Sequence, residues 1–266
     1  MKIWTVANQK GGVGKTTTTV TLGGILASQG KRVLLIDTDP HASLTYYFGI
    51  DSEELEVSVY DVFSRSKGLN KEEILQALCP STMDNLDILP ATMAIATLDR
   101  SMGNKSGMGL ILTKALAKIA DEYDYAILDC PPVLGVLMVN ALAASERVLI
   151  PVQTEFLALK GLDRMMRTMQ LMQSSQSKKY QYTIIPTMYD KRTKASLEAY
   201  KTLRATYDEK VWPGVIPIDT KFRDASLAMK SPVIYCPKAR GVYAYMALLD
   251  HLLKLDKKTC SEAINE

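Results

Sequence analysis

Histidine is scarce in this chain, with only His41 and His251 in 266 residues. Neither has a neighbour at ligand spacing, so a histidine-based metal centre is not expected and solvent or packing roles are left to both. The four cysteines, Cys79, Cys130, Cys236 and Cys260, lie far apart with no C-x-x-C pair. That spacing indicates neither a zinc site nor a disulfide framework, and reduced thiols are the default. Long apolar runs are also missing: the best, VLGVLMVNALAA at 133–144, is too short to span a bilayer and is interrupted by Asn140. At the N-terminus Asn8, Gln9 and Lys10 break the apolar stretch before a signal sequence can form. A cytoplasmic protein without membrane insertion is therefore expected. No internal repeat or low-complexity segment occurs, and the polar run QSSQSKK at 173–179 is loop-sized. With 47% hydrophobic residues the chain is expected to form a single domain over 1–266.

The formal net charge of +3 conceals an asymmetry. Residues 1–150 hold 13 Lys+Arg and 17 Asp+Glu, whereas residues 151–250 hold 16 and 9. Basic charge gathered on one face attracts polyanions, and the same charge scattered is an ordinary solvated surface. Both readings stay open at this level.

QKGGVGKTTTT, residues 9–19, places glycines at 11, 12 and 14 between two lysines. Glycine costs backbone entropy, so this density implies that something approaches the main chain closely. Upstream, IWTV (Ile3 to Val6) reads as a buried strand; downstream, Val20, Leu22, Ile25 and Leu26 give a helix an apolar face. Strand, glycine loop and helix form a phosphate cradle of backbone N–H groups and the positive helix end. The cradle is expected over Gly11, Gly12, Val13, Gly14, Lys15, Thr16 and Thr17. Lys15 can reach the β- and γ-phosphates, and Thr16 offers a hydroxyl to Mg²⁺. The commoner pattern G-x-x-x-x-G-K-[ST] requires glycine at residue 9, where this chain has Gln9.

Two further apolar runs end in acids. KRVLLIDTDPHA (Lys31 to Ala42) carries Asp37 and Asp39, which face one site if extended geometry persists between them. YDYAILDCPP (Tyr123 to Pro132) ends in Asp129, placed to hold Mg²⁺ through water near Thr16. Arg147 to Val152, Tyr180 to Tyr189 and Val211 to Pro217 read as three more strands. Leu157 to Gln173 and Arg192 to Tyr207 read as helices between them. The methionines of the first helix suit core packing better than a binding surface. The alternation predicts an α/β fold, a mostly parallel twisted sheet with helices on both faces.

In order and spacing, NQKGGVGKTTT, VLLIDTDP, YAILDCPP, NALAAS and LIPVQTEFLALKGL resemble the ParA/MinD ATPases, P-loop NTPases with a deviant Walker A loop. NALAASERVLIPVQTEFLALKGLDRM together with ATLDRSMGNKSGMGLIL is most similar to the ParA-like proteins of chemotaxis operons, which position receptor arrays at the cell pole. The resemblance implies that Lys10 crosses a dimer interface to the partner's nucleotide, that Asp39 positions the attacking water, and that Asp37 lies near the Mg²⁺ shell. It implies adenine contacts at Met188 and Pro217. It also places Lys221 and Arg223, in DTKFRDAS, where relatives present basic residues to non-specific DNA. Those two share one side if the segment is extended, and Lys191, Arg192, Lys194 and Arg204 are candidates to join them. The implied activity is slow ATP hydrolysis, with ATP and Mg²⁺ bound, that resets a homodimer linked to cargo through a protein partner. Plasmid or chromosome partition on non-specific DNA and a nucleotide-gated scaffold without DNA are the alternatives; a metabolic kinase or amidoligase would require a second small substrate. Unlike MinD-type proteins, YAYMALLDHLLKL is suited to packing on the domain, and DKKTCSEAINE after it is too polar for an anchor.

Overall fold

The computed structural model describes residues 1–65, 69–98, 108–176 and 180–264. Part of the ATLDRSMGNKSGMGLIL motif, 99–107, lies outside them. Among the described residues seven strands form one sheet: β1 (Lys2–Val6), β2 (Val33–Asp37), β3 (Cys79–Pro80), β4 (Leu86–Leu89), β5 (Tyr125–Asp129), β6 (Arg147–Gln153) and β7 (Gln181–Thr187). Their spatial order is β3-β4-β2-β5-β1-β6-β7. Every pairing is parallel except β3 with β4 at the edge. The expected mostly parallel sheet is present.

Alternation along the strands distributes the core between two layers. Leu34, Ile36, Ala126 and Leu128 point to one face. There they pack with α3 (Val59–Ser64), α5 (Ile111–Lys118), α6 (Val136–Ala144) and α7 (Phe156–Gln176). Val33, Leu35, Ile127 and Trp4 point to the other, against α1 (Lys15–Ser28), α2 (Ser43–Tyr47) and α11 (Arg240–Ile264). Because both faces are covered, the strands read as continuous apolar runs. The short or peripheral helices are α4 (Lys71–Gln76), α8 (Lys194–Tyr207), α9 (Lys221–Leu227) and α10 (Pro232–Tyr235).

Met165, Met169 and Met172 of α7 are buried, as core packing predicts. That helix continues to Gln176, so half of the predicted polar loop at 173–179 is helical. Val211 to Pro217 is not a strand. Val211 bridges Ile184, and Tyr189 bridges Pro217. Between these points Pro213 and Gly214 interrupt the ladder, since proline has no N–H to donate.

The long last helix is fixed to the sheet by charge. The Arg147 guanidinium, 5% exposed, lies 2.9 Å from Asp256 Oδ1, and Lys2 Nζ lies 3.1 Å from Oδ2. Removing a partner from a buried pair leaves a desolvated charge. Asp256→Ala is expected to lower stability by about 3 kcal/mol in urea unfolding; a change near zero would exclude this pair as the anchor of α11.

Candidate functional site

The parallel pairing of β1, β5 and β2 brings three loops to one edge of the sheet. In register, Val6 lies opposite Asp129, and Asp37 lies opposite Asp129 on the other side. The glycine loop leaves β1 on the side of Asp129 away from Asp37 and enters α1. Gly12 and Gly14 have φ of 72° and 90°, the left-handed region that a side chain disfavours. A Cβ at Gly11, Gly12 or Gly14 would meet nothing within 4 Å, so the loop encloses open space. Gly14 caps α1 without a side-chain hydrogen bond, and no acid lies in the first turn. The positive end of the helix therefore faces this space uncompensated by its own turn.

The loop is braced from outside. Asn8 Nδ2 donates to the Pro151 carbonyl at 2.8 Å, and Thr187 Oγ1 donates to the Val13 carbonyl at 2.9 Å. Gln9, in the place of the usual glycine, donates from Nε2 to Thr168 Oγ1 of α7 at 2.7 Å. The two lysines diverge. Lys15, 8% exposed, donates to the Lys10 carbonyl at 3.3 Å along the loop. Lys10 instead extends to Glu155, at the start of α7, in an ion pair. Glu155 was not a sequence candidate, because no local pattern links residues so distant in the chain.

The acids are buried beside this loop. Asp129 Oδ2 accepts from Thr16 Oγ1 at 2.6 Å, and Thr19 Oγ1 approaches Oδ1 at 3.4 Å. Burial pushes the Asp129 carboxyl up to about 8, and the Asp37 charge adds to this. Burial likewise raises Asp37 to about 6, against three hydrogen bonds that lower it. Those bonds come from Asp39 N (3.0 Å), Thr45 N (2.9 Å) and Thr45 Oγ1 (2.8 Å). Asp37 thus holds α2 in place as well as lying beside Asp129.

The extended geometry expected between Asp37 and Asp39 does not persist. β2 ends at Asp37, and the Asp39 amide turns back onto its carboxylate. Asp39, beyond the turn, accepts from His41 N at 3.0 Å and pairs with His41 Nδ1 at 2.9 Å. Its charge still acts on both Asp37 and Asp129. Cys130 is fully buried beneath them, with its thiol raised by burial, in keeping with a packing role. Thr17 is half-buried on the first turn of α1.

Tyr189, next to Met188, bridges Pro217. Tyr189 N donates to the Ile216 carbonyl at 3.0 Å and Ile218 N to the Tyr189 carbonyl at 3.3 Å. Met188 has a left-handed φ of 51°, and the preceding Thr187 touches the glycine loop. Lys221 and Arg223 are exposed, but they lie on α9 and not on an extended segment. Residues two apart on a helix point about 200° apart, so the pair does not share one side. Lys221 instead lines an open cleft of about 410 Å³ with Tyr235 and Lys238. Arg204 does not join the basic surface, because its guanidinium donates to the Val211 carbonyl at 2.9 Å. Arg192 is exposed and forms a two-bond pair with Asp190.

Residues 1–182 match the AAA domain family. The chain is 37% identical over 248 residues to the sporulation initiation inhibitor protein Soj of Bacillus subtilis, covering 93% of this chain and 96% of that one. It is 34% identical over 266 residues to the chromosome partitioning protein ParA of Caulobacter vibrioides, covering 99% and 98%. The chain belongs to the ParA/MinD family of P-loop ATPases. A ParA-family fold also relates it to a crystal structure named cobyrinic acid a,c-diamide synthase, from Mycobacterium smegmatis, with bound ATP analogue and magnesium. That match has a TM-score of 0.82 at 34% identity and covers 97% and 96% of the two chains.

The raised acids give this ParA-family site a pH signature. From about pH 4 to about pH 8 the folded, ligand-free chain retains protons that the unfolded chain has released, so stability falls as pH rises. Asp129→Asn is expected to flatten that decline in urea unfolding across the window. A slope equal to that of the parent would reject Asp129 as its main source.

Proposed function

We propose that this chain is an ATPase that positions cellular cargo by switching between monomer and ATP-bound dimer. The observation that carries this reading is the divergence of the two loop lysines. Lys15 stays with its own glycine loop, while Lys10 is held outside it by Glu155. A lysine stored at the rim is placed to serve a second subunit's phosphates, where transfer chemistry depends on position and charge.

The donor set fits the nucleotide and its metal. The open glycine loop and the α1 N-terminus suit phosphates, and Thr16 beside Asp129 offers hard oxygen to Mg²⁺. Among the described residues no group of three or more His, Cys, Asp or Glu is arranged to enclose a metal. Phosphate oxygens and water would complete the shell, as is usual for Mg²⁺. Asp39 positions the attacking water, and Met188 with Pro217 flanks the adenine. Exposed Val133, Leu134, Phe156 and Leu157 follow the Asp129 and Glu155 segments and supply apolar surface for the second copy. Slow hydrolysis would then separate the subunits. The relative named chromosome partitioning protein ParA supports partition-type action, and the mycobacterial structure named a diamide synthase, matched over a similar share, is the competing likeness.

The dimer would bind DNA without reading sequence, through phosphate contacts at Lys221 and Lys238, which line one cleft, with Arg223 on another side of α9 and Lys191, Arg192 and Lys194 as further candidates in the basic half. Its cargo, on the resemblance of residues 140–165 to chemotaxis-operon proteins, is the polar receptor array, reached through a protein partner. It would act in the cytoplasm, on the nucleoid or at the cell pole. A protein scaffold that ignores DNA is the second reading, favoured by the exposed apolar Leu227 and Met229 amid those cations.

Lys15→Ala should abolish ATP binding in equilibrium dialysis, and retained tight binding would sink the phosphate assignment. Lys10→Ala should keep much of the nucleotide binding but lose the ATP dimer in sedimentation; a normal dimer rejects the trans role. The Asp39→Ala protein should accumulate as the ATP dimer and bind random duplex DNA with ATP and not ADP, more weakly as salt rises. An ATP dimer that ignores DNA at low salt would favour the scaffold.

A further inference from the structure

The basic helix α9 is connected to the nucleotide site along two separate arms that meet at Phe222. On the first arm, the Phe222 ring packs edge-on against Tyr245 of α11, with centroids 5.8 Å apart and planes at 75°. Tyr245 is 1% exposed, and its hydroxyl lies 2.8 Å from Thr18 Oγ1. Thr18 Oγ1 in turn lies 2.7 Å from the Gly14 carbonyl. A carbonyl only accepts, so the Thr18 proton goes to Gly14 and the Tyr245 hydroxyl donates to Thr18. The relay ends on the left-handed glycine that immediately precedes Lys15.

The second arm begins at the Phe222 carbonyl, which accepts from Tyr47 Oη at 3.4 Å. Tyr47 is the last residue of α2, whose Thr45 binds Asp37 through both its amide and its hydroxyl. Thr45 Oγ1 also accepts from the Ala91 amide, so α2 is held against the sheet edge. The seat of Phe222 is close-fitting. A Cβ at Gly241 would lie 2.3 Å from the Phe222 ring, and Gly241 N donates to Asp219 Oδ2 at 3.1 Å just ahead of α9. Lys221 and Arg223 flank this residue directly and are exposed.

We infer that Phe222 is the junction through which the filled phosphate loop sets the position of α9, and that Tyr245 is a positioning residue acting through Thr18 on Gly14. Phosphates in the loop bear on the Gly14 peptide. Water positioning bears on the Asp37–Asp39 turn that holds α2. Both adjustments reach the same residue, one at its ring and one at its carbonyl, so α9 responds to the loop and to the turn together. By linkage, anything bound at α9 changes nucleotide affinity by the same factor that nucleotide changes its own. This inference rests on the nucleotide-site reading above and is independent of whether α9 binds DNA.

Hydrogen exchange without DNA tests it, on the full chain with Mg²⁺ and a non-hydrolysable ATP analogue. Addition of the analogue is expected to slow exchange both at 11–18 and at 220–228 in the parent. Tyr245→Phe keeps the ring contact and removes the hydroxyl donor, leaving Thr18 bonded to Gly14. It should retain the slowing at 11–18 and lose at least half of that at 220–228. Tyr47→Phe removes the other arm and should do the same, so the test does not depend on one variant folding. A parent that responds at 11–18 but not at 220–228 overturns the coupling, as does a full α9 response in both variants. No response at 11–18 in the parent would instead remove the nucleotide reading itself. Failure of the separate DNA titration would remove only the DNA reading.

Discussion

Two carboxylates buried side by side at the carboxyl ends of adjacent inner strands of a parallel sheet set the conditions for everything around them. The β2–β5 register places Asp37 next to Asp129, and neither is exposed to water. Burying like charges is unfavourable unless hydrogen bonds or opposite charge offset it. Asp37 is offset by its own turn, through Asp39 and Thr45. Asp129 has the Thr16 hydroxyl and the Lys15 charge, and burial still outweighs them. The ligand-free site consequently favours a proton or a cation at Asp129, and that preference lies beside the open glycine loop.

The glycine loop reconciles two demands that conflict in one segment. Its Gly12–Gly14 half leaves its backbone open to an anion, whereas its Asn8–Lys10 half is bound to the body of the protein. Glycine at residue 9 would lose the bond to Thr168, so the departure from the commoner motif has a structural basis. Gly161 contributes from α7, where an added Cβ would lie 3.1 Å from Lys10 Cβ. The close approach lets α7 lie along the limb that carries Lys10 and presents Glu155 to its ammonium. Storage of Lys10 and openness of the loop are thus parts of one arrangement.

The basic second half is organised by packing more than by charge. Its cations are divided among α7, the segment after β7, α8, α9 and the α10–α11 corner, and some are spent locally. Arg204 closes the turn after α8, and Arg192 is paired with Asp190. Lys221 and Arg223 remain exposed on a short helix whose Phe222 packs against Tyr245. A small element with few buried contacts is easily biased, as a nucleotide-responsive surface requires.

Much of the architecture was legible because it is written in local pattern. Buried strands read as apolar runs, the glycines mark the close approach of backbone and ligand, and Asp37 and Asp129 end their strands where crossovers begin. The edge pair Cys79–Pro80 and Leu86–Leu89 was not legible, because strands so short carry little period. Val211 to Pro217 had strand composition, but its prolines and Gly214 reduced it to two bridges. A shared side for Lys221 and Arg223 depended on DTKFRDAS being extended, and the segment is helical from Lys221, with Phe222 packed against Tyr245. Glu155, Thr168, Thr45 and Tyr245 were invisible for a different reason: each acts on a residue brought to it only by the fold, as far as 227 positions away for Thr18 and Tyr245. Residue type and near-neighbour spacing are enough to specify the strand cores, the glycine loop and the acids that end β2 and β5. Only the tertiary structure decided where Lys10 rests and what α9 touches, since those outcomes depend on side chains meeting across the sheet.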